Sequence, residues 1–113
     1  METKRQQRIS RLIQKDLSEL LLRELNDLVQ GCMVTVTKVH VTPDLALARV
    51  FLSIFGVNDK KAKVDAFNHR SREIRGLLGT RLRHQLRVIP ELQFREDDSL
   101  DYIERIDNLL KNS

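Results

Sequence analysis

Between two glycines, Gly31 and Gly56, the apolar residues of this chain change their period, and that change restricts the fold more than any other feature. Before Gly31 they recur at Ile9, Leu12, Ile13, Leu17, Leu20, Leu21, Leu25 and Leu28. This spacing predicts a first helix over residues 4–29 with Gly31 as its stop. After Gly31, Val34 and Val36 alternate with threonines, and Val39 and Val41 continue in the opposite phase. A strand keeps one phase unless a residue is inserted, so the run predicts a β-strand kinked by a bulge. Thr42-Pro43-Asp44 supplies turn chemistry and residues 45–55 form a second strand-like run, which together make a hairpin.

Helical spacing then returns. Gly56-Val57-Asn58-Asp59 breaks the strand and offers an N-cap, after which Val64, Phe67, Ser71, Ile74, Leu78 and Leu82 follow at intervals of three or four. One long helix or two joined at a kink would fit this pattern. Pro90 closes it, and residues 91–95 read as a third strand with Leu92 and Phe94 pointing inward. Asp98 or Ser99 can cap a last, acidic helix over residues 98–113 that buries Leu100, Ile103, Ile106 and Leu110. The order α-β-β-α-α-β-α predicts an α+β fold with a three-stranded sheet packed on helices along one face. It is the order of the K-homology RNA-binding domain in its bacterial, type II arrangement, with a C-terminal helix added. A chain of 113 residues, 41% of them apolar, suits a single domain spanning residues 1–113.

The charges are uneven. Residues 32–95 carry 12 basic and 5 acidic side chains, whereas residues 96–113 carry 2 and 6. A basic body with an acidic end points to a polyanionic partner. Six arginines, Arg70, Arg72, Arg75, Arg81, Arg83 and Arg87, fall in one segment that contains no lysine and a single acid, Glu73. The planar guanidinium fork matches phosphate oxygens two at a time, so this run indicates nucleic acid more than general solubility. With Ile74 at zero on a helical wheel, Arg75, Gly79, Arg72, Arg83 and Gly76 lie at about 100°, 140°, 160°, 180° and 200°. Small residues between arginines would let a phosphate backbone approach closely. A solvated helix face is the plain alternative. Lys38, Arg49, Lys4, Arg5 and Arg8 are candidates for secondary phosphate contacts.

Gly76-Leu77-Leu78-Gly79 matches the glycine-x-x-glycine clamp of K-homology domains, but Leu77 and Leu78 fall on the apolar stripe, and a clamp needs its middle residues in solvent. The match is therefore rejected. Four phenylalanines and one tyrosine, spread over several elements, make base stacking a weak prospect. His40, His69 and His84 are too far apart in sequence for usual metal-ligand spacing, and no nucleophile elbow or phosphate loop is present. Neither a cofactor, a metal nor catalysis is expected. Cys32 stands alone and reads as an apolar filler. The acidic end reads as a solvated helix with acids near its N-terminus, in preference to an arm that screens the basic face. The apolar runs are too short for a membrane span and the opening residues lack a signal-peptide core, which gives a cytosolic expectation.

Four segments together resemble the ribosome-binding factor A family: Lys4-Arg5-Gln6-Gln7-Arg8-Ile9; Val39-His40-Val41-Thr42-Pro43-Asp44-Leu45 with Ala48-Arg49-Val50-Phe51-Leu52-Ser53; Ile74-Arg75-Gly76-Leu77-Leu78-Gly79; and Pro90-Glu91-Leu92-Gln93-Phe94 with Asp98-Ser99. The resemblance implies a type II K-homology fold with a kinked interhelical corner in place of the clamp. It further implies binding to free small (30S) ribosomal subunits and to 16S rRNA around the neck and the 5′-terminal helix. Late maturation, pre-16S rRNA processing and importance for growth in the cold are implied with it. Arg70-Ser71-Arg72 stands where the family usually has alanine-x-glycine, so the corner must form without glycine or the helix must run through. The segment from Arg81 to Arg87 is also longer than usual. The expected partners are the small subunit and its rRNA, with no membrane and no small-molecule substrate, and the chain is expected to be monomeric. The alternative is a basic module that dimerises or docks on protein through its apolar helices.

Overall fold

Thr3 starts the first helix. Its Oγ1 accepts from the Gln6 amide at 3.1 Å, and the Gln6 side chain accepts from the Thr3 amide at 2.8 Å, a reciprocal cap on two N–H groups that the helix itself leaves unpaired. Gln6 is itself buried and donates to the Val41 carbonyl at 2.9 Å, which pins the helix start to the end of the first strand. The structure, a computed structural model, describes residues 2–97; the acidic helix expected over residues 98–113 lies outside them.

Helix α1 (Lys4–Arg23) buries Ile9, Ile13, Leu17, Leu20 and Leu21. It stops short of the residues 4–29 that the apolar stripe predicts. On an unbroken helix Leu25 would sit about 120° from Ile13, at the margin of the stripe. The chain instead breaks at Glu24, Leu25 turns inward to 1% exposure, and the short α2 (Asn26–Val29) places Leu28 beside it.

Strand β1 (Met33–Val41) runs antiparallel to β2 (Leu47–Phe55), and the register slips between Val36 and Lys38. Thr37 is the inserted residue, so the change of phase in the valines does mark a bulge. Its hydroxyl lies 2.6 Å from the Asp97 carboxylate, which ties the bulge to the end of the third strand. The second strand begins two residues later than expected because residues 42–47 close the turn. Thr42 and Leu47 share a backbone hydrogen bond of 2.9 Å, and Leu45 has a φ of 62°. The Asp44 carboxylate accepts from the Thr42 hydroxyl and the Ala46 amide, and these bonds hold its pKa below the usual range.

Asp59 caps α3 (Lys60–His69) by accepting from the Ala62 amide at 3.0 Å. Helix α4 (Ser71–Leu82) follows directly, and the two meet at Arg70 with φ −103° and ψ 14°. Of the two arrangements open to the sequence, the kinked pair is the one formed. Its corner residue has a negative φ that any L-residue can adopt, so arginine serves where the family usually has a smaller residue. Strand β3 (Glu91–Glu96) then pairs parallel to β2, giving a mixed sheet of order β1-β2-β3.

Among the described residues α1 stacks over β1 and α3 and α4 over β3 on one sheet face, with α2 packed against α1 and α3. Between the layers, Val36, Val39, Val50, Leu52 and Phe94 meet Ile13, Leu20, Phe67, Ile74 and Leu78. Phe67 and Phe94 pack with ring centroids 5.4 Å apart. As an edge strand β3 would offer unpaired backbone groups, and Asn68 covers one residue's worth. Its side chain donates to the Phe94 carbonyl at 3.0 Å and accepts from the Phe94 amide at 2.8 Å.

Candidate nucleic-acid interface

Because Ile74, Leu78 and Leu82 are fully buried, α4 must present its opposite side to solvent. Along the flank nearer β3, Ser71, Arg72, Arg75 and Gly76 face Ile89, Glu91 and Leu92 across an open cleft of about 840 Å³. Arg72 is exposed and has no partner among the described residues. Arg75 is half-buried and donates through Nε and Nη2 to the Ile89 carbonyl, at 2.9 and 2.7 Å. It anchors the link to β3 and leaves its Nη1 pair and the second Nη2 hydrogen for a ligand. Gly76 is exposed, and a Cβ added there would meet nothing within 4 Å. At Gly79 the same atom would touch Ile89 at 3.6 Å, so this glycine packs under the link and does not form open floor. Leu78 is core and Leu77 packs partly against it, in keeping with rejection of the glycine clamp.

The opposite flank of α4 is chemically different. Arg81 lies about 20° from Ile74 on the wheel, on the packed side. It bonds Asp16 through Nε at 3.0 Å and Glu19 through Nη2, both on α1. Arg70, at the corner, pairs with Asp27 at 2.5 Å and with Glu73 at 2.6 Å. The Glu73 bond raises its pKa, and Asp27 adds to the effect. The arginine run is poor in acids of its own, yet acids arrive from α1 and α2. Arg70 and Arg81 are therefore held in ion pairs that RNA would have to displace. These pairs join the end of α4 to α1 through Arg81 and the α3–α4 corner to α2 through Arg70.

Arg83 and Arg87 are exposed in the link that follows α4; Arg83 Nε contacts His84 at 3.3 Å, and Arg87 has no described partner. Lys38 and Arg49 stand elsewhere. Val36, Val39, Val50 and Leu52 face the helices, so alternation puts Lys38, Arg49 and Phe51 on the far side of the sheet. There Lys38 covers the Phe51 ring at 4.9 Å, and the Nε of Arg49 is buried without a partner among the described residues. Beside Arg49, His40 Nδ1 lies 2.5 Å from the Glu2 carboxylate.

Lys4, Arg5 and Arg8 are exposed on α1. Sequence reasoning stopped there and missed Arg11 and Lys15. These continue the line of Lys4 and Arg8 around a shallow groove of about 530 Å³ that also includes Gln7 and Leu12. Extending the helical wheel from α4 to α1 would have found them. The link residue Ile89 and the strand residues Glu91 and Leu92, which form the far wall of the first cleft, carried no functional signal in the sequence. Among the described residues no group of three or more metal-ligating side chains comes together, and no helix is long and apolar enough to cross a membrane.

Comparison with known proteins agrees with this architecture. The chain is 45% identical over 111 residues to ribosome-binding factor A of Flavobacterium johnsoniae, an alignment covering 97% of this chain and 85% of that protein. The crystal structure of ribosome-binding factor A from Thermus thermophilus superposes with a TM-score of 0.67, at 18% identity, over 80% of this chain and 94% of that one. A homology model of the T. thermophilus factor, fitted into a cryo-EM map of a 30S complex, superposes with a TM-score of 0.61 at 17% identity, covering 87% and 97%. The family model for ribosome-binding factor A matches residues 5–110, and the chain belongs to that family.

Proposed function

We propose that this protein is a non-enzymatic assembly factor that binds free small ribosomal subunits in the cytoplasm. Its ligand there is 16S rRNA around the neck and the 5′-terminal helix, and it assists late maturation and pre-16S rRNA processing, with most effect in the cold. The protein acts as a monomer. The observation that carries this reading is the 45% identity with a curated ribosome-binding factor A across 97% of the chain. The fold of the T. thermophilus factor fitted into the map of a 30S complex supports it.

The surface chemistry supports RNA as the ligand. Among the described residues Arg72 and Arg87 are unpaired cations, Arg75 has spare donors, and Gly76 leaves the helix backbone open to close approach. Contacts of this type read phosphate and shape and give little base specificity. Arg83 belongs with this group by position. Among the described residues the large exposed apolar side chains are Leu22, Met33 and Val88, one each on α1, β1 and the link before β3.

Co-sedimentation with purified 30S subunits, 50S subunits and 70S ribosomes at low and moderate salt tests the proposal. Selective binding to free 30S subunits that weakens with salt is the expected result. Equal binding to all three, or none, contradicts it.

A further inference from the structure

The outward line of α1 is a second strongly basic surface. With Ile13 at zero, Arg11, Lys4, Lys15 and Arg8 lie at about 160°, 180°, 200° and 220°, directly opposite the buried stripe. All four are exposed and none has a partner among the described residues. No acid interrupts the line between Lys4 and Lys15; it ends one turn later at Glu19, which is taken up by Arg81. The four cations follow one another about one turn apart over roughly 16 Å of helix. Evenly spaced cations with the polar Gln7 beside them suit a run of phosphates. A lipid surface is a poor match, because the apolar face of α1 is already buried against the sheet and has nothing left to insert.

This line is not continuous with the α4 cleft. Between them lies the seam where α1 and α2 meet α4, with Asp16 and Glu19 on Arg81, and Asp27 and Glu73 on Arg70. Within these pairs four carboxylates face two guanidiniums, an excess of negative charge that the Lys63 ammonium on the Leu28 carbonyl only partly offsets. One phosphate backbone crossing from the cleft to α1 would have to pass over it.

We propose that the outward line of α1 is an independent phosphate-binding site, so that one chain holds two separate RNA segments at once, one on α1 and one at the α4–β3 cleft. The proposal rests on the RNA-binding reading of the cleft and adds a second strand to it. Such a bivalent domain would bridge two parts of a folding RNA and raise the effective concentration of each near the other.

A two-colour capture experiment on the full chain tests it. A biotinylated oligouridylate is held on streptavidin beads, a fluorescent oligouridylate is in solution, and sedimentation in the same buffer separates a bivalent monomer from a dimer. The wild-type monomer should carry the fluorescent strand to the beads and bind two strands per chain. Arg8→Ala/Arg11→Ala/Lys15→Ala should bind one strand and lose capture, and the salt slope of total binding should fall by about 2 to 3. Arg72→Glu, a charge reversal in the cleft, should also lose capture while still binding one strand through α1. Circular dichroism confirms that these exposed substitutions leave the fold intact. A triple α1 variant that captures like wild type, or a wild-type protein that binds a single strand, overturns the proposal. If the α1 variant loses capture and the α4 variant behaves as wild type, the α1 site stands and the cleft assignment fails.

Discussion

The two flanks of α4 carry the same residue type and do opposite work. On the flank facing α1, Arg81 is held by Asp16 and Glu19, and its charge is spent on joining two helices. On the flank facing β3, Arg72 has no described partner and Gly76 leaves the helix surface bare beside a cleft. Arg75 stands between these roles, with half its fork on the Ile89 carbonyl. What an arginine does here is decided by acids and carbonyls far away in the chain. Asp16 is 65 positions from Arg81, and Asp27 is 43 from Arg70.

Reversing the charge on the paired side should have the largest consequence. Arg81→Glu would place a third carboxylate against Asp16 and Glu19 in a partly buried seam, with an expected loss of about 2 kcal/mol in urea unfolding. A stability equal to wild type would show that the seam contributes nothing. Arg75→Ala should cost less, about 1 kcal/mol, because it removes two bonds to one carbonyl and leaves no buried charge behind. It should also weaken subunit binding, since Arg75 serves the link and the cleft together. Unchanged stability in the same unfolding experiment would reassign Arg75 wholly to the ligand. The smallest effect should come from Gly76→Ala, which removes a helix-destabilising glycine at an open position. Stability should rise by about 0.5 kcal/mol or somewhat more. Affinity for small subunits should fall if the phosphate backbone comes down onto the helix there, and equal affinity would show that it stays clear.

The elements were more legible in the sequence than the site. Hydrophobic period and the turn chemistry of Thr42-Pro43-Asp44 locate the hairpin, and the phase change between Val36 and Val39 marks the bulge that leaves Thr37 unpaired in the register. Asp59 announced the α3 cap, and Leu92 and Phe94 their strand. The break at Glu24 was hidden, because the apolar stripe runs on through Leu25 and Leu28 without glycine or proline to interrupt it. The α3–α4 corner stayed ambiguous for the same reason, since Arg70 bends the chain within ordinary backbone space.

Site residues were harder because their roles depend on tertiary neighbours. A local count of acids finds only Glu73 near Arg70 and none beside Arg81, whereas Asp27, Asp16 and Glu19 come from α2 and α1 to pair with them. Lys38 and Arg49 read as secondary phosphate contacts on charge alone, and the sheet separates them from α4. The parity of the valines after the bulge already contained that fact. The partnership of Gly79 with Ile89 and the cleft wall at Glu91 and Leu92 arise only when the link folds back on α4.

If paired and partnerless arginines differ as described, Arg72 on α4 and Arg87 in the link, which have no partner among the described residues, bind the small subunit and the paired Arg70 and Arg81 do not. The decisive variant is Arg72→Glu combined with Arg87→Glu, measured by co-sedimentation with free 30S subunits at moderate salt and by thermal unfolding. Affinity should fall at least about tenfold while unfolding stability stays within about 0.5 kcal/mol of wild type. A folded double variant that binds free small subunits as tightly as the wild-type protein would refute this division of labour among the arginines.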